Sequence, residues 1–237
     1  DFTSYEHRVW TVHNERLFSL PINQLTFSEY FKKYMTPSQV DTYLQNERDQ
    51  GLSGRATNLE EKAISLIGAD LYEALIKGYT KKQWDTDPKN LPADVIARLP
   101  IRTNMDNRYF SDKYQGIPTN GYGSMLLNML DDSKVTLRLG HDFGSDEAKG
   151  YDLVIYTGPL DSFFGFRHGR LSWRTLDFEL ATHDLNDYQG TTVLNYADVD
   201  VPFTRVHEFK HFFPGRWDSL SKTVVMKEFS REANEDD

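Results

Sequence analysis

Alternating apolar and polar residues open the chain. Segments 5–13 (YEHRVWTVH) and 16–22 (RLFSLPI) both alternate, and Asn14-Glu15 separates them. Successive side chains of a strand point to opposite faces, so alternation indicates a strand with one buried face. A two-residue connection between two such strands is typical of a hairpin. The pattern therefore predicts a β-hairpin at residues 5–22.

Helical spacing replaces the alternation from Thr26 onward. Thr26 is followed three residues later by Glu29, which is the spacing of a capping box and predicts that a short helix begins at Thr26. A second helix is predicted over residues 38–48. Pro37 would lie in its first turn, where the missing N–H of proline leaves no helical hydrogen bond unmade.

The clearest helical period lies in residues 58–79. Asn58 is suited to cap its beginning, and Gly68 is expected to divide it into two pieces. Its apolar residues recur at intervals of three and four positions, as in Leu59, Ala63, Leu66, Ile67, Leu71, Leu75 and Ile76. Such spacing predicts a helix with one buried face.

A proline-rich segment comes next, and predicted strands dominate the rest of the chain. Residues 85–100 contain three prolines, which predicts an exposed, mobile loop that carries a short helix. Beyond Arg108 the β-favouring residues predict strands at 134–139, 151–158, 170–180, 190–196, 203–213 and 222–229, with one helix at 124–130.

The order of these elements predicts the fold class. Helices and strands that occur in separate runs are typical of an α+β fold. We expect a helical domain packed beside a mainly antiparallel β-sheet domain. Residues 1–23 would form the hairpin that joins the sheet domain, residues 24–104 the helical domain with the mobile proline-rich loop, and residues 105–237 the antiparallel sheet domain.

Composition narrows the classes of function. The chain carries a net charge of −9 and has a pI near 5.3, so nucleic acid is an unfavourable partner, although a few local arginines could still bind a small phosphate-bearing ligand. It contains no cysteine, which excludes disulfides, thiolate metal sites and a cysteine nucleophile. Its aromatic fraction of 14% supplies rings for core packing or for stacking on a ligand.

The hydropathy of the chain bears on its location. The sequence has no run of 18 apolar residues, so we expect no membrane association. Residues 1–10 lack the basic and apolar regions of a signal peptide. We therefore expect a cytoplasmic protein. Because the first residue is not methionine, we also expect a trimmed or processed chain.

One motif suggests a zinc site. His207, Glu208 and His211 form the sequence H-E-x-x-H, which binds zinc when it lies on a helix. The neighbouring residues favour a strand, however, and Pro202 and Pro214 flank them. On a strand, positions i and i+4 are about 13 Å apart, too far for one ion. We expect no metal site and favour the polar face of a strand, with ligand contact as the alternative.

Three arginines are candidates for phosphate binding. Arg98 lies in the predicted loop, and Arg174 and Arg205 lie in predicted strands. A guanidinium can hold a phosphate with two parallel hydrogen bonds, or it can form a structural ion pair. Residues 79–84 (YTKKQW) combine two aromatic and two cationic side chains. They could contact a ligand, or the lysines could simply stabilise the C-terminal end of a helix.

Other catalytic patterns are weaker. Asp177, Glu179, Asp198 and Asp200 could supply the carboxylate pair of a glycoside hydrolase, but carboxylates on exposed sheet faces are common, and we favour that alternative. The sequence contains neither G-x-G-x-x-G between a strand and a helix nor G-x-x-x-x-G-K-[ST], so it predicts no dinucleotide site of the usual kind.

Several segments, in one order and spacing, resemble a single enzyme family. Together with residues 227–232 (KEFSRE), five segments resemble the prokaryotic UDP-galactopyranose mutases: residues 5–23, 58–84, 91–118, 156–179 and 193–212. The resemblance covers nearly the whole chain. It implies an intramolecular transferase of the isomerase class, active in cell-wall polysaccharide biosynthesis. Such an enzyme interconverts UDP-galactopyranose and UDP-galactofuranose through an adduct between the sugar and reduced FAD.

The resemblance also implies roles for individual residues. Arg98 and Arg205 match the two arginines that stabilise the diphosphate, and they are the expected catalytic residues. Arg174 matches a position near the flavin. The expected substrate-binding residues are Asn23, Tyr79, Thr80, Trp84, Tyr109 and Asn195. The chain departs from the family at Leu75-Ile76, where a phenylalanine that packs on uracil is common.

The flavin-binding segments of the family have no counterpart in these residues. The family carries a Gly-rich FAD fingerprint before the part that resembles this chain, and a further flavin segment after it. We therefore expect this chain to bind UDP-galactose or UDP, to be inactive alone and not to retain FAD. The alternatives are a flavin-free UDP-sugar-binding module and a non-catalytic scaffold derived from a mutase. The resemblance also leads us to expect a homodimer.

Overall fold

The computed structural model describes residues 1–50, 56–96, 100–234 and 237, with the backbone alone for residues 49 and 50. The chain divides into two compact units. The larger, here called the sheet–helix unit, comprises Phe2–Ile117 and Arg174–Glu232. The smaller, here called the 118–173 unit, comprises Pro118–Trp173 with Asp1 and Ala233–Asp237. The predicted boundaries after residues 23 and 104 follow element type instead, and they stay predictions.

Helices and strands are both present, which confirms the predicted α+β class. The strands are β1 (Phe2–Ser4), β2 (Val9–His13), β3 (Arg16–Leu20), β4 (Gly116–Pro118), β5 (Arg174–His183), β6 (Val193–Tyr196), β7 (Arg205–Glu208) and β8 (Thr223–Glu232). The helices are α1 (Gln24–Tyr30), α2 (Pro37–Gln50), α3 (Leu59–Ile67), α4 (Ala69–Leu71), α5 (Gly78–Trp84), α6 (Gly121–Leu130) and α7 (Leu160–Phe163). A π-helical turn spans Tyr72–Lys77, and 3-10 turns span Pro88–Asn90, Ala93–Val95, Glu147–Gly150 and Phe209–Phe212.

The main sheet of the sheet–helix unit has the strand order β3-β2-β6-β7-β8-β5. Its pairings are antiparallel except for β2 with β6, which is parallel. A parallel pair needs a long crossover, and here the helical segments lie between the two strands in sequence. The sheet is therefore mainly antiparallel, as predicted, but mixed.

The predicted hairpin is confirmed. Val9 lies opposite Leu20, and the pairing continues to His13 opposite Arg16. Asn14 and Glu15 have φ angles of 48° and 59°. Positive φ at both central residues defines the tight turn whose twist matches that of the flanking strands.

The first helix begins earlier than predicted. Asn23 is its N-cap, because Oδ1 of Asn23 accepts from the backbone N–H of Leu25 at 2.8 Å and of Thr26 at 3.4 Å. Thr26 Oγ1 accepts in return from the N–H of Asn23 at 3.0 Å. Glu29, the expected partner in the capping box, pairs instead with Arg16 at 3.1 Å. The prediction that Thr26 caps this helix was therefore wrong by three positions.

The long helical segment is confirmed, including its break. Asn58 Oδ1 accepts from the N–H of Glu61 at 3.0 Å and caps α3. Gly68 ends α3 with a φ of 83°, and the chain continues through α4 and the π-helical turn into α5. A π-helical turn adds a residue to one turn of helix and so rotates the helical residues after it. The prediction of α2 at residues 38–48 is confirmed as well.

The core of the sheet–helix unit lies between its helices and one face of its sheet. Its largest fully buried apolar side chains are Phe18, Ile22, Phe27, Val40, Leu59, Ile67, Leu71 and Tyr72. Complete burial of a side chain of this size stabilises a fold by about 1.5–3 kcal/mol. The hydroxyl of Tyr72 donates to Glu60 at 2.7 Å, which satisfies its hydrogen bond.

The strands predicted at 134–139 and 151–158 were wrong. Both segments are irregular backbone of the 118–173 unit, and most of their side chains are exposed, with Leu139 and Ile155 each at 82%. The preference of β-branched and aromatic residues for strands acts through packing against neighbouring strands. Within the described part of this unit, the two segments have no such neighbour.

The remaining predictions held with shifted ends. The helix predicted at 124–130 is α6, and the strands predicted at 170–180, 190–196 and 222–229 are β5, β6 and β8. The strand predicted at 203–213 ends at Glu208, where a 3-10 turn begins. The proline-rich loop contains two 3-10 turns, and its predicted mobility stays a prediction.

Among the helices of the described ranges, none combines the length and the apolar composition that a membrane span requires.

Gly68 is expected to be essential for stability. Its φ of 83° with ψ of 160° is a conformation open essentially to glycine alone, and a Cβ there would lie 2.4 Å from Tyr43 Oη. We expect Gly68→Ala to lower the free energy of unfolding by about 1–3 kcal/mol, measured by urea denaturation. Gly123→Ala is the control, because a Cβ at Gly123 meets nothing within 4 Å. Equal stability of Gly68→Ala and the parent would contradict this account.

Candidate functional site

A cleft of about 530 Å³ opens in the sheet–helix unit, a volume typical of small-molecule sites. Strands β2, β6 and β7 form one side, and the π-helical turn with α5 forms another. The lining residues are His7, Val9, Thr11, Leu20, Leu75, Ile76, Tyr79, Gln83, Tyr109, Val193, Asn195, Arg205, His207 and Phe212. It is called the Arg205 cleft below.

The register of the sheet brings polar side chains into one row. Thr11 of β2 lies opposite Asn195 of β6, which lies opposite Arg205 of β7. Residues that face each other on neighbouring strands project from the same face. His207 follows Arg205 by two positions, so it shares that face too.

Arg205 is the cation of the cleft. Its Nη2 donates to the hydroxyl of Tyr79, and its Cζ lies 5.9 Å from the centre of the Tyr79 ring. Its Nε lies 3.2 Å from Glu228 Oε1, without the alignment of a hydrogen bond. With 29% of its side chain exposed, the guanidinium is held from two sides and still reaches the cleft.

Glu228 supplies the balancing charge. It lies opposite Arg205 on β8, and its Oε2 is 3.2 Å from His207 Nε2. Burial alone would raise the pKa of Glu228, but the hydrogen bond from His207 and the charge of Arg205 outweigh it, so the pKa is lowered. The carboxylate is therefore ionised at neutral pH and orients the arginine.

His7 places an imidazole beside the rings of Tyr109 and Phe110. Its ring packs edge-on against Tyr109 at 5.4 Å and stacks on Phe110 at 5.9 Å. Burial, followed by the charges of His207 and Arg205, lowers the pKa of His7. At neutral pH the ring is therefore mainly uncharged, so it can both donate and accept a hydrogen bond.

The helical wall is apolar except for the Tyr79 hydroxyl and the side chain of Gln83. Leu75 and Ile76 contribute aliphatic surface, and Tyr79 contributes its ring. Burial raises the pKa of Tyr79, with the charge of Arg205 opposing it. The Tyr79 hydroxyl therefore stays protonated at neutral pH. The cleft thus places a cation, Arg205, next to an apolar surface on which a ring could pack.

The structure brings four of the predicted site residues together. Tyr79, Tyr109, Asn195 and Arg205 all line the cleft. Thr80 and Trp84 lie on α5 but outside the lining set, Thr80 buried and Trp84 37% exposed. The predicted catalytic residue Arg98 lies outside the described residues.

Asn23 has its polar atoms engaged elsewhere. Its side-chain amide donates to Ser19 Oγ at 3.0 Å and to the carbonyl of Pro21 at 2.9 Å, while its Oδ1 caps α1. The residue is completely buried. Its assigned contact with substrate stays a prediction, and its observed role is to join the hairpin to the first helix.

Arg174 is likewise engaged in the fold. Its Nε donates to the carbonyl of Gln83 at 3.1 Å, and its terminal nitrogens lie 3.3 Å from Glu232 Oε2 and Ser230 Oγ. A cation at the C-terminal end of a helix is stabilising. The predicted position of Arg174 near a flavin remains untested.

Sequence reasoning did not assign His7 or Gln83 to the site. Gln83 follows Tyr79 by one helical turn, so helical spacing could have placed it on the same face. His7 precedes Val9 and Thr11 by two and four positions, so strand alternation carried a signal for it. His207 was considered as a zinc ligand or a polar strand position, with ligand contact as the alternative.

The two histidines of H-E-x-x-H serve different carboxylates. His207 lies on β7 and binds Glu228, whereas His211 lies 3.2 Å from both Asp187 and Glu208. The predicted strand position of His207 is confirmed, and its ligand-facing alternative is consistent with the cleft.

Glu208 is the centre of a separate cluster. Among the described residues, Asp187, Glu208 and His211 bring ligand atoms within 4.8 Å of one another. Glu208, however, accepts from the backbone N–H of Tyr188 and Gln189, and its other donors include Thr223 Oγ1 at 2.6 Å. These bonds explain the buried carboxylate as an anchor for the loop before β6.

Two of the four carboxylates considered for glycoside hydrolysis form surface ion pairs, whereas Asp198 pairs with His13. Asp177 binds Arg231 and Glu179 binds Lys227, each at 2.8 Å. The side chains of these two ion pairs are 33–57% exposed, which supports the solvent-exposed alternative for Asp177 and Glu179.

A second groove of about 570 Å³ also lies in this unit. Its basic residues include Arg108 and Lys113. Arg108 makes two hydrogen bonds of 2.9 Å to the Asp106 carboxylate, which offsets its charge. The groove lacks the row of polar groups on a sheet face that the Arg205 cleft has, so the Arg205 cleft is the better candidate.

The Arg205 cleft can bind an anionic ligand that carries a ring. Its cation is positioned by a buried carboxylate, and the adjoining wall is aromatic and aliphatic. Guanidinium groups in such settings bind phosphate oxygens with charge-assisted hydrogen bonds. Fold and site together describe an α+β protein with a cleft whose residues suit a small ligand that combines an anionic group with a ring.

Comparison with known proteins identifies the family. A family model described as UDP-galactopyranose mutase matches residues 74–237. A probable UDP-galactopyranose mutase of Klebsiella pneumoniae is 42% identical over 233 residues, covering 98% of this chain and 60% of the relative. A dTDP-fucopyranose mutase of Escherichia coli is 36% identical over 242 residues, covering all of this chain and 63% of the relative.

A solved structure supports the fold. The chain is similar to the crystal structure of a reduced UDP-galactopyranose mutase with a TM-score of 0.59 at 13% identity, covering 97% of this chain and 58% of that one. The chain belongs to the UDP-galactopyranose mutase family. It spans about 60% of the length of the curated relatives named here.

The charge of Glu228 should appear in the pH dependence of stability. Its folded pKa lies below the ordinary value of 4.5, so its contribution is present above pH 4.5 and is lost as the pH falls through the folded pKa. We expect Glu228→Gln to make the decline of the unfolding free energy below pH 4.5 shallower, measured by urea denaturation across this range. Glu179→Gln, an exposed carboxylate of β5, is the control. If the unfolding free energy of Glu228→Gln declined below pH 4.5 as steeply as that of the parent, the ion-pair assignment would be refuted.

Proposed function

We propose that the protein acts in the interconversion of UDP-galactopyranose and UDP-galactofuranose, as an isomerase of the family to which it belongs, and that this chain holds the UDP-sugar in the Arg205 cleft. The observation that carries the proposal is the placement of Arg205. It is a partly buried cation in a chain of net charge −9. It lies between the ring of Tyr79 and the polar side chains of the neighbouring strands.

The ligand would divide between the two parts of the cleft. The diphosphate would accept hydrogen bonds from Arg205, since a guanidinium suits phosphate geometry. Tyr79, Leu75 and Ile76 would pack against a flat or apolar portion of the ligand, and His7 with Asn195 would supply hydrogen bonds to hydroxyl groups. Arg98 is proposed as the second diphosphate ligand, and Asn23, Thr80, Trp84 and Tyr109 as further substrate contacts.

Reduced FAD is the cofactor that the family assignment implies. Its fit to this chain can be judged from the residues that would hold it. Arg174 is the residue assigned to the flavin side, and its N–H groups donate hydrogen bonds to Gln83, Ser230 and Glu232. The 237 residues also lack a Gly-rich strand–helix turn for a pyrophosphate. The described residues therefore do not fit a flavin site, and the role proposed for this chain is confined to the UDP-sugar.

A flavin-free UDP-sugar-binding module is the second candidate. It is supported by Arg205 and the polar row that the cleft offers to a UDP-sugar, together with described residues that do not fit a flavin site. A cytoplasmic location, a homodimer and a role in cell-wall polysaccharide synthesis remain proposals that follow from the family.

Arg205 is expected to dominate UDP affinity. Replacing it with alanine removes a charged hydrogen bond, so the affinity for UDP should fall by about 1.5–3 kcal/mol, measured by calorimetry. Because this change leaves Glu228 without its arginine partner, the double variant Arg205→Ala/Glu228→Gln is measured as well. Arg231→Ala is the control, since Arg231 binds Asp177 at the surface. Unchanged affinity in both Arg205 variants would remove this residue from the site.

The two candidate functions differ in flavin binding and turnover. We expect the purified chain to show no flavin absorbance and no conversion of UDP-galactose when reduced FAD is added, because its described residues do not fit a flavin site. The measurements are a visible spectrum and chromatography of the nucleotide sugars. Conversion by this chain would show that its residues suffice for the reaction and would contradict the expected inactivity. UDP binding without conversion agrees with both candidates, whereas conversion would exclude the flavin-free module.

The nucleotide base is a further point for calorimetry. The relatives named above carry UDP and dTDP in their names, and the aliphatic Leu75-Ile76 wall offers no hydrogen bond to a base. UDP and dTDP are therefore titrated in parallel. We expect UDP to bind more tightly, and a preference for dTDP would change the proposed substrate.

A further inference from the structure

Helix α5 uses two of its faces for different tasks. Gly78 and Lys82, one helical turn apart, face the connection between β6 and β7, here called the 196–203 segment. Tyr79 and Gln83, each one position later, line the Arg205 cleft. Because successive helical residues are about 100° apart, the rotation that docks the first pair also directs the second pair into the cleft.

The docked face makes unusually close contacts. The ammonium of Lys82 donates to the carbonyls of Tyr196 at 2.7 Å, Val201 at 3.0 Å and Phe203 at 2.9 Å. A Cβ on Gly78 would lie 2.2 Å from the carbonyl oxygen of Ala197. The glycine thus lets the helix approach, and the lysine ties it to the segment.

The 196–203 segment is itself fixed. Asp198 accepts from the backbone N–H of Asn14 at 2.9 Å and lies 2.5 Å from His13 Nδ1, so the hairpin turn holds one side of it. The segment leads directly into β7, which carries Arg205. Lys82 therefore links the helix that carries Tyr79 to the strand connection that precedes Arg205.

We propose that Lys82 is a positioning residue of the cleft: its three hydrogen bonds to the 196–203 segment set the rotation of α5 that holds the Tyr79 hydroxyl on Arg205. The consequence for UDP affinity rests on the proposed function, whereas the effect on Tyr79 does not. Lys82 itself is outside the lining set of the cleft, so it acts through Tyr79.

The protonation state of Lys82 offers a second way to change its hydrogen bonds, without a substitution. Burial lowers the pKa of Lys82 to about 8, with the charges of Asp198 and Asp200 opposing the shift. The ammonium has three N–H donors for its three carbonyls, whereas the neutral amine has two. Raising the pH through this value therefore removes one hydrogen bond. The other ionisable groups near this contact are Tyr196, whose pKa burial raises, the carboxylates of Asp198 and Asp200, and His13, which lies 2.5 Å from Asp198.

The test places a reporter on Tyr79. With 3-fluorotyrosine at position 79, the ¹⁹F resonance of the ligand-free chain reports the surroundings of this ring. Lys82→Met removes the donors while keeping an unbranched side chain, and Lys81→Met is the matched control because Lys81 is an exposed neighbour on the same helix. We expect the resonance to move toward that of free fluorotyrosine in Lys82→Met alone, with circular dichroism unchanged. An unmoved resonance would overturn the proposal.

A pH titration guards against a variant that fails to fold. In the parent chain with its natural tyrosine, which does not titrate in this range, the backbone amide ¹H–¹⁵N resonance of Tyr79 should shift between about pH 7 and about pH 9 with a midpoint near the pKa of about 8, and Lys81→Met should behave alike. A resonance that stays constant over this range would overturn the proposal without any Lys82 variant.

UDP calorimetry then separates the two levels of inference. We expect Lys82→Met to weaken UDP binding about tenfold, the scale of one hydrogen bond, and Lys81→Met to leave it unchanged. If the parent does not bind UDP, the proposed function fails, and the Lys82 proposal is decided by the resonances of Tyr79 alone. If Tyr79 moves and UDP affinity does not, the role of Lys82 in the site is overturned.

Discussion

The ion pair between Arg205 and Glu228 is the interaction on which the cleft depends. A largely buried guanidinium needs a partner, because an uncompensated buried charge costs several kcal/mol. Glu228 meets this need from the neighbouring strand, directly opposite Arg205. Since opposition depends on register, a one-residue slip between β7 and β8 would turn one of the two groups to the other face. His207 and Tyr79 gather around these charges, so sheet register determines the chemistry of the cleft.

The second determinant is the approach of a helix to this sheet. Tyr79 meets Arg205 because α5 comes within contact of the backbone at Ala197, which a side chain at Gly78 would prevent. The π-helical turn before α5 alters the rotation of the helix, and such turns are frequent at functional sites. The cleft is thus formed by backbone geometry on both sides: strand register on one and helix phase on the other.

The sequence predicted features whose physical causes are local. Asn14-Glu15 supplied the hairpin turn, and Asn58 and Gly68 marked the beginning and end of α3, because caps and turns depend on neighbouring residues. The strands predicted at 134–139 and 151–158 failed because a strand depends on partners elsewhere in the chain. The parallel pairing of β2 with β6 could not be predicted for the same reason.

The same distinction between local causes and contacts with distant segments applies to the candidate site. Four cleft residues came from the family resemblance, and periodicity alone could have added His207 and Gln83 beside Arg205 and Tyr79. The stacking of His7 on Phe110 could not be foreseen, since it joins distant segments. Asn23 and Arg174 show the converse, because a polar side chain whose donors and acceptors are taken up by the fold has few left for a ligand. Deciding which residues of a family pattern can bind therefore requires knowing where each hydrogen bond goes, and sequence alone does not contain that information.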